Sequence, residues 1–287
     1  MAKIFSDSGR TEAVVRGNRL KTFVINLKHE AEKKERMLEK CTKAGIRVEI
    51  IEAVYGKALD DDVIANVYSG QKAIGYFGRE LTRGEIGTAL SHLNVCAKIV
   101  ETPVEAALVL EDDVGCSFDA AVLLEMIDNL PADWECVLLG HHTKRARDID
   151  TLASVWNQKR VAGGFRCIRF AEQPYGAYAY LINRAGARKM LENFRVIDRP
   201  IDHWHDRRIN LYGMKPSIAS IDPLFHGQSN LAGERDGMKE RTRRSAYGKT
   251  KDFVRHGLGK VGALEIFFFF KNAVLRLKYG HSYEQSK

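Results

Sequence analysis

Alternation between short apolar runs and longer charged segments over residues 21–140 constrains the fold more than any other feature. Four runs rich in β-forming residues have the length of buried strands, at 21–27, 47–51, 105–110 and 135–139. Segments of helical composition separate them, at 29–44, 60–68, 82–100 and 120–130. Because neighbouring parallel strands need long crossover connections, this alternation predicts an α/β fold with a parallel sheet and crossover helices.

Local signals sharpen several of these boundaries. Gly45 follows the first helical segment and is a good terminator for it. Thr82 and Glu85 have the spacing of a capping box, which predicts that a helix begins there. Residues 70–78 are rich in glycine and predict a loop.

Beyond residue 140 the pattern changes. Gly163-Gly164, between two strand-like stretches within 161–171, predicts a hairpin. Residues 176–182 then predict a strand and residues 183–194 a helix.

Three consecutive acids, Glu111, Asp112 and Asp113, directly follow the most strand-like segment of the chain. Ligands of open α/β sheets bind outside the carboxyl ends of the strands, which is where these carboxyls fall. Mutual repulsion and lost hydration would be relieved by a divalent cation, and oxygen ligands suit Mn²⁺ or Mg²⁺. A solvated acidic turn that caps the next helix remains the alternative from the residues alone.

Several longer motifs occur in a fixed order along residues 21–235. They are Phe23-Val-Ile-Asn-Leu27, Leu81-Thr-Arg-Gly-Glu-Ile-Gly-Thr-Ala-Leu-Ser-His-Leu93, Leu108-Val-Leu-Glu-Asp-Asp-Val114, Tyr178-Ala-Tyr-Leu-Ile-Asn183, Pro200-Ile-Asp-His203 and Asp222-Pro-Leu-Phe-His226. In this combination the chain resembles glycosyltransferase family 25, which holds lipooligosaccharide galactosyltransferases and collagen galactosyltransferase domains.

The resemblance implies a GT-A-like fold, with a Rossmann-like central sheet and flanking helices. It also implies a UDP-hexose donor, galactose in particular, a Mn²⁺ or Mg²⁺ cofactor, and transfer with inversion to a saccharide acceptor, for which lipooligosaccharide core is the expectation. Asp113 is expected to bind the metal directly, Glu111 directly or through water, and His226 as a late ligand. Asp112 is expected beside them at the donor diphosphate.

The same resemblance suggests roles for other side chains. Asp202 is the candidate base on the acceptor hydroxyl, although it would also suit the first turn of a helix. Candidate donor contacts are Asn26, Arg36, Arg83, Ser91 and His92, and for Ser91 and His92 acceptor contact is the alternative. An ordinary structural role is the alternative for each of them. Asn26 could form a turn, the two arginines could be solvated on their helices, and Ser91 and His92 could be structural residues of a helix, with His92 buried.

Charge is distributed unevenly in the 287-residue chain, whose formal net charge is +8. Residues 235–287 hold 13 Lys and Arg and 5 Asp and Glu, so the rest of the chain is neutral. We therefore predict a catalytic domain at residues 20–235 and a basic, helical, amphipathic extension at residues 236–287. Four consecutive phenylalanines at 267–270, flanked by cations, predict that this extension binds an anionic membrane surface.

Composition also bears on where such a chain would work. Five cysteines without a paired spacing favour a reducing compartment, and the charged N-terminus does not resemble a signal peptide. These features predict a cytoplasmic protein, peripheral on the cytoplasmic membrane face. Three alternatives remain: a basic nucleic-acid-binding protein, a metal-dependent phosphotransferase or phosphatase, and an inactive relative that only binds. The contiguous phenylalanines, which are not interleaved with the basic residues, argue against nucleic acid.

Overall fold

The computed structural model describes residues 19–116, 118–142, 158–170, 173–204 and 209–225. Within them the strands are β1 (Leu20–Asn26), β2 (Val48–Glu52), β3 (Ala106–Glu111), β4 (Val114–Cys116), β5 (Cys136–Leu138), β6 (Lys159–Ala162), β7 (Phe165–Ile168), β8 (Ala179–Ile182), β9 (Leu211–Lys215) and β10 (Ala219–Ile221). The helices are α1 (Ala31–Lys43), α2 (Asp61–Val67), α3 (Gly70–Phe77), α4 (Arg83–Glu101), α5 (Ala120–Asn129) and α6 (Arg184–Asn193). Short 3₁₀ turns occur at Gly56–Ala58 and Pro223–Phe225.

The central sheet has eight described strands in the order β2-β1-β3-β8-β5-β9-β7-β6. Strands β2, β1 and β3 are parallel, as the alternation predicted. The sheet as a whole is mixed, because β8 lies antiparallel between β3 and β5. A strand from beyond residue 140 thus separates two strands that are successive members of the alternating region, and the result is a mixed α/β sheet.

Both faces of the sheet are covered, which explains why its central strands are apolar throughout. In β1, Phe23 and Ile25 belong to the core on one face, while Val24 belongs to the core on the other. β3 divides in the same way, with Val109 on the first face and Leu108 on the second. Helices α4 and α6 pack on the first face and α1 and α5 on the second, as expected for a sheet buried on both sides.

Local signals in the sequence located most element ends. Thr82 accepts from the Glu85 amide at 3.0 Å, and Glu85 accepts from the Thr82 amide at 3.0 Å, so the capping box is confirmed. Gly45 has φ of +68°, a conformation in which glycine is favoured after a helix. The hairpin around Gly163-Gly164 is also confirmed, with β6 and β7 as its strands.

The predicted loop at residues 70–78 is instead the helix α3. Ser69 caps its start by accepting from the Lys72 amide, and Gly78 ends it with φ of +94°. The glycines were misleading because two of them mark this helix's limits: Gly70 is its first residue and Gly78 its C-cap.

Residues 226–287 lie outside the described residues, so the predicted basic extension and its boundary stay predictions. Among the helices that the structure describes, none combines the length and the apolar character required to span a bilayer.

Candidate active site

An open cleft of about 430 Å³ lies at the edge of the sheet where β1, β2 and β3 end. Its walls include the loop after β2, the start of α4, the acidic triplet, the segment before β8 and the turn at 200–202. Residues that line it include Lys33, Tyr55, Lys57, Glu85, Ser91, His92, Glu111, Asp112, Asp113, His142, Tyr178, Asp202 and Phe225.

The acidic triplet occupies the turn between β3 and β4. Glu111 is the last residue of β3, and its amide donates to the Tyr178 carbonyl at 2.8 Å. The chain turns at Asp112 and Asp113, so the alternation of side chains along the strand stops at Glu111. All three acids nevertheless line the cleft.

Two of the three carboxylates have partners within the protein. Asp112 Oδ2 accepts from Asn26 Nδ2 at 2.7 Å, and Glu111 Oε1 lies 3.2 Å from His92 Nε2. Burial raises the pKa of Asp112, although the bond from Asn26 works against that rise.

Asp113 is the exception in the triplet. Among the described residues, its Oδ1 is buried and has no hydrogen-bond partner. Burial, together with the charges of Glu111 and Asp112, raises the pKa of Asp113 to about 7. The strand pair β4–β10 fixes its backbone, because the Asp222 amide donates to the Asp113 carbonyl at 2.8 Å. A buried acceptor that lacks a donor is what a cation would satisfy.

The described residues do not by themselves form a complete metal site at this position. A cation here would need further ligands, such as substrate phosphates. No group of three or more His, Cys, Asp or Glu side chains converges in metal-binding geometry within the part of the chain that the structure describes. The unpaired Oδ1 of Asp113, with Glu111 nearby, fits the mode in which one or two carboxylates and substrate phosphates share the ion. His226, the predicted late ligand, lies outside the described residues.

The predicted donor contacts fall into two groups. Ser91 and His92 line the cleft, whereas Asn26, Arg36 and Arg83 do not belong to its lining. Asn26 contacts the lining residue Asp112 through a hydrogen bond and does not itself face the cleft.

The two arginines have other partners. Arg83 pairs with the Asp61 carboxylate and with the Leu59 carbonyl, at the outer side of α4. Arg36 lies with its guanidinium 5.7 Å from the centre of the Phe225 ring. Neither arginine therefore touches the cleft directly in this arrangement, and Arg36 reaches it only through Phe225.

Ser91 and His92 are held by the protein itself. The Ser91 hydroxyl donates to the Gly87 carbonyl and accepts from the Val54 amide, each at 2.8 Å. Both ring nitrogens of His92 lie within hydrogen-bond distance of side chains. A direct donor contact by either residue would require it to give up one of these bonds.

Asp202, the candidate base, lines the cleft at the turn 200–202. Its Oδ2 accepts from the Gly176 amide at 3.2 Å, and the Trp204 indole donates to the Gly176 carbonyl at 3.1 Å. Gly176 has φ of +104° and has no room for a side chain, because an added Cβ would lie 2.7 Å from the Tyr178 ring. The glycine thus allows Asp202 and the start of β8 to meet at the cleft.

Sequence reasoning gave no role to several side chains of the lining, among them Lys33, Tyr55 and Phe225. Lys33, whose Nζ lies 5.5 Å from the centre of the Phe225 ring, reaches the cleft from α1. Tyr55 contributes an exposed ring that meets His29 edge-on. Nothing in the sequence distinguishes Lys33 from the other cations of α1. Phe225, in contrast, could have been considered, because it belongs to the Asp222–His226 motif.

Several known proteins are similar in sequence to this chain. The procollagen galactosyltransferase 1-B of Xenopus laevis is 32% identical over 178 residues, which cover 59% of this chain and 27% of the relative. The procollagen galactosyltransferase 2 of Mus musculus is 32% identical over 177 residues, again 59% of this chain and 27% of the relative. The inactive glycosyltransferase 25 family member 3 of Homo sapiens is 29% identical over 178 residues, 59% of this chain and 28% of the relative.

These alignments span less than a third of the relatives' own length, and they include both active and inactive proteins by name. The family model described as glycosyltransferase family 25 (LPS biosynthesis protein) matches residues 19–205. That range contains β1 to β3, the acidic triplet and Asp202, and therefore most of the cleft. With the greater part of its length matched, the chain belongs to glycosyltransferase family 25.

Proposed function

We propose that this protein transfers a hexose, galactose, from a UDP-sugar to a saccharide acceptor with inversion at the anomeric carbon. Membership of family 25 supports glycosyl transfer, and the names of two relatives given above support galactose. The family match gives no support to the nucleic-acid-binding or phosphotransferase alternatives.

Asp113 is the observation that carries the proposal. A buried carboxylate with an unpaired oxygen and a pKa raised to about 7 is unfavourable for the free protein. It becomes favourable when Mn²⁺ or Mg²⁺ is bound at Asp113 and Glu111. Such an ion supplies Lewis-acid stabilisation for the charge on the departing UDP.

The protein's own residues would complete the donor site. Burial and the neighbouring carboxylates raise the pKa of Asp113, and the nearby charge of Lys33 partly offsets that rise. Because Lys33 lines the cleft together with the acids, we propose that its ammonium approaches the donor phosphates. Asn26 holds Asp112 in place, and Tyr55 offers an exposed ring on the side of the loop after β2.

Asp202 is our proposal for the base. A single-step inversion needs an acceptor for the proton of the attacking hydroxyl. Asp202 lines the same cleft as the triplet but on a different wall, held through its Oδ2 by the Gly176 amide. We propose that donor and acceptor bind in the cleft with the triplet at the donor and Asp202 at the acceptor hydroxyl.

The acceptor is proposed to be lipid-linked, with lipooligosaccharide core as the candidate. We propose that the catalytic domain covers residues 20–235 and that residues 236–287 bind the cytoplasmic membrane face. Removing residues 240–287 should then release the protein from anionic vesicles without changing donor binding. Unchanged vesicle association of the truncated protein would contradict the membrane role.

Calorimetric titration with UDP-galactose and UDP-glucose, with and without Mn²⁺, tests the donor site. Wild type should bind UDP-galactose only with metal, and Asp113→Ala should lose that binding. Asp62→Ala, which changes an exposed acid on α2, is the matched control and should bind like wild type. Absence of binding by wild type to either donor would remove the UDP-hexose proposal.

A further inference from the structure

His92 is a fully buried histidine that the proposed reaction does not itself require. It lies on α4 with 0% of its surface exposed. Its Nδ1 is 2.9 Å from the Tyr180 hydroxyl, and its Nε2 is 3.2 Å from Glu111 Oε1. One ring therefore joins a core tyrosine of β8 to a carboxylate of the cleft.

The two partners determine which nitrogen carries the proton. The Glu111 carboxylate can only accept a hydrogen bond, so Nε2 must be the donor. When the ring carries this single proton, Nδ1 accepts and the Tyr180 hydroxyl donates to it. Burial raises the pKa of Tyr180 well above its ordinary value, which keeps that hydroxyl protonated and able to donate.

Tyr180 is itself immobilised. Its ring is completely buried, and it meets the Trp204 ring edge-on with the centroids 5.5 Å apart. Tyr180 belongs to β8, which pairs directly with β3, the strand that ends in Glu111. Both ends of the hydrogen-bonded chain thus rest on the same rigid sheet.

Glu111 is the member of this chain whose side chain is exposed in the cleft. Its side chain is 30% exposed, and only Oε1 makes a hydrogen bond among the described residues. The second oxygen, Oε2, is therefore left for a group in the cleft. A glutamate has three side-chain torsions, so without a fixed partner its carboxylate would sample several positions.

We propose that His92 and Tyr180 are positioning residues that hold the Glu111 carboxylate with Oε2 presented to the metal–diphosphate of the donor. The inference rests on the proposed function and deepens it. Side chains that orient a metal-binding carboxylate change metal affinity or activity by about 10- to 100-fold when they are removed. Direct contact between His92 and the donor is not part of this proposal.

The first experiment needs no donor. Nitrogen-15 NMR of the histidine side chains, in protein labelled at histidine, reports which ring nitrogen is protonated, and loss of the signal in His92→Gln assigns it. A proton on Nε2 in wild type, with a changed signal in Tyr180→Phe, is the expected result. A ring without a proton on Nε2 would overturn the proposal, because Nε2 could then not donate to Glu111.

The second experiment compares donor binding in matched variants. His92→Leu should weaken Mn²⁺-dependent binding of UDP-galactose by about 10- to 100-fold. His92→Gln, which retains a donor near the Nε2 position, should recover part of the loss, and Tyr180→Phe should be intermediate. Asn94→Leu, an exposed change on the same helix, should bind like wild type. Wild-type affinity in His92→Leu, or no recovery in a folded His92→Gln, would overturn the proposal.

A double variant separates positioning from general stability. If His92 acts through Glu111, His92→Leu should cause no further loss of donor affinity in a Glu111→Gln background. Additive losses would mean that His92 acts elsewhere. If wild type binds no UDP-sugar, the proposed function fails, while the NMR result obtained without donor still decides the contact between His92 and Glu111.

Discussion

Replacing Asp113 by Asn should make the metal-free protein more stable at alkaline pH while removing metal-dependent donor binding. The folded-state pKa of Asp113 is about 7, against an ordinary value of 3.8. Below about pH 4 the carboxyl is protonated in both folded and unfolded states, so it contributes no difference. Between about pH 4 and 7 the folded state retains a proton that the unfolded state loses, and stability falls as pH rises.

Above about pH 7 the Asp113 carboxyl is ionised in both states, and the folded state carries the full free-energy cost of the buried charge. At about 1.4 kcal/mol for each pH unit between the two pKa values, the upper limit is about 4 kcal/mol. Asn has almost the same volume and removes the repulsion from Glu111 and Asp112. It remains a buried polar group, however, so we expect a gain of about 1 to 4 kcal/mol at about pH 8.

Urea unfolding in the presence of a chelator, at about pH 4 and about pH 8, measures this difference. The gain of Asp113→Asn over wild type should be present at the higher pH and nearly absent at the lower one. Asp62→Asn, which alters an exposed acid, should show no such pH-dependent gain. A variant that is no more stable than wild type at the higher pH would refute the reasoning that Asp113 is an uncompensated buried charge.

Three further predictions concern residues in or directly behind the walls of the cleft. Gly87→Ala should lower the free energy of unfolding by about 1 to 3 kcal/mol, because its Cβ would lie 2.7 Å from the Gly56 backbone; greater stability in urea would contradict this. Glu85→Ala should cost about 3 to 5 kcal/mol, since it removes the capping box and the paired 2.8 Å bonds from Arg79; a loss under about 1 kcal/mol would be inconsistent with a buried ion pair. Asp202→Asn should reduce turnover by about 100-fold or more while calorimetry finds donor binding intact, and near-normal turnover would exclude it as the base.

Features encoded by neighbouring residues were predictable from the sequence. The capping box of Thr82 and Glu85 is a contact across three residues, and its residue types have few other uses at that spacing. The acidic triplet could be located because three charged residues directly follow an apolar strand, which is a pronounced change of residue type within a few positions. The glycines around 70–78 misled for the opposite reason, since glycine marks both loops and the ends of helices.

Features formed by distant residues were not predictable in the same way. Tyr180 lies 88 residues from His92, and no local pattern pairs them. The insertion of β8 between β3 and β5 decides which residues meet at the cleft, yet each strand alone is a short apolar run. The bond between Asn26 and Asp112 likewise depends on the register of β1 beside β3.

The pairing of β4 with β10 has a consequence for the order in which the site can assemble during synthesis. Lys40 donates to the Asp222 carboxylate at 2.5 Å and to the Val114 carbonyl at 3.0 Å, which ties the first helix to strands about 75 and 180 residues later. While the ribosome is still making residues 206–225, the nascent chain already carries its three clustered acids but lacks the strand that anchors the turn behind them. The site is therefore among the last parts of this fold to form, although the acids that define it emerge early.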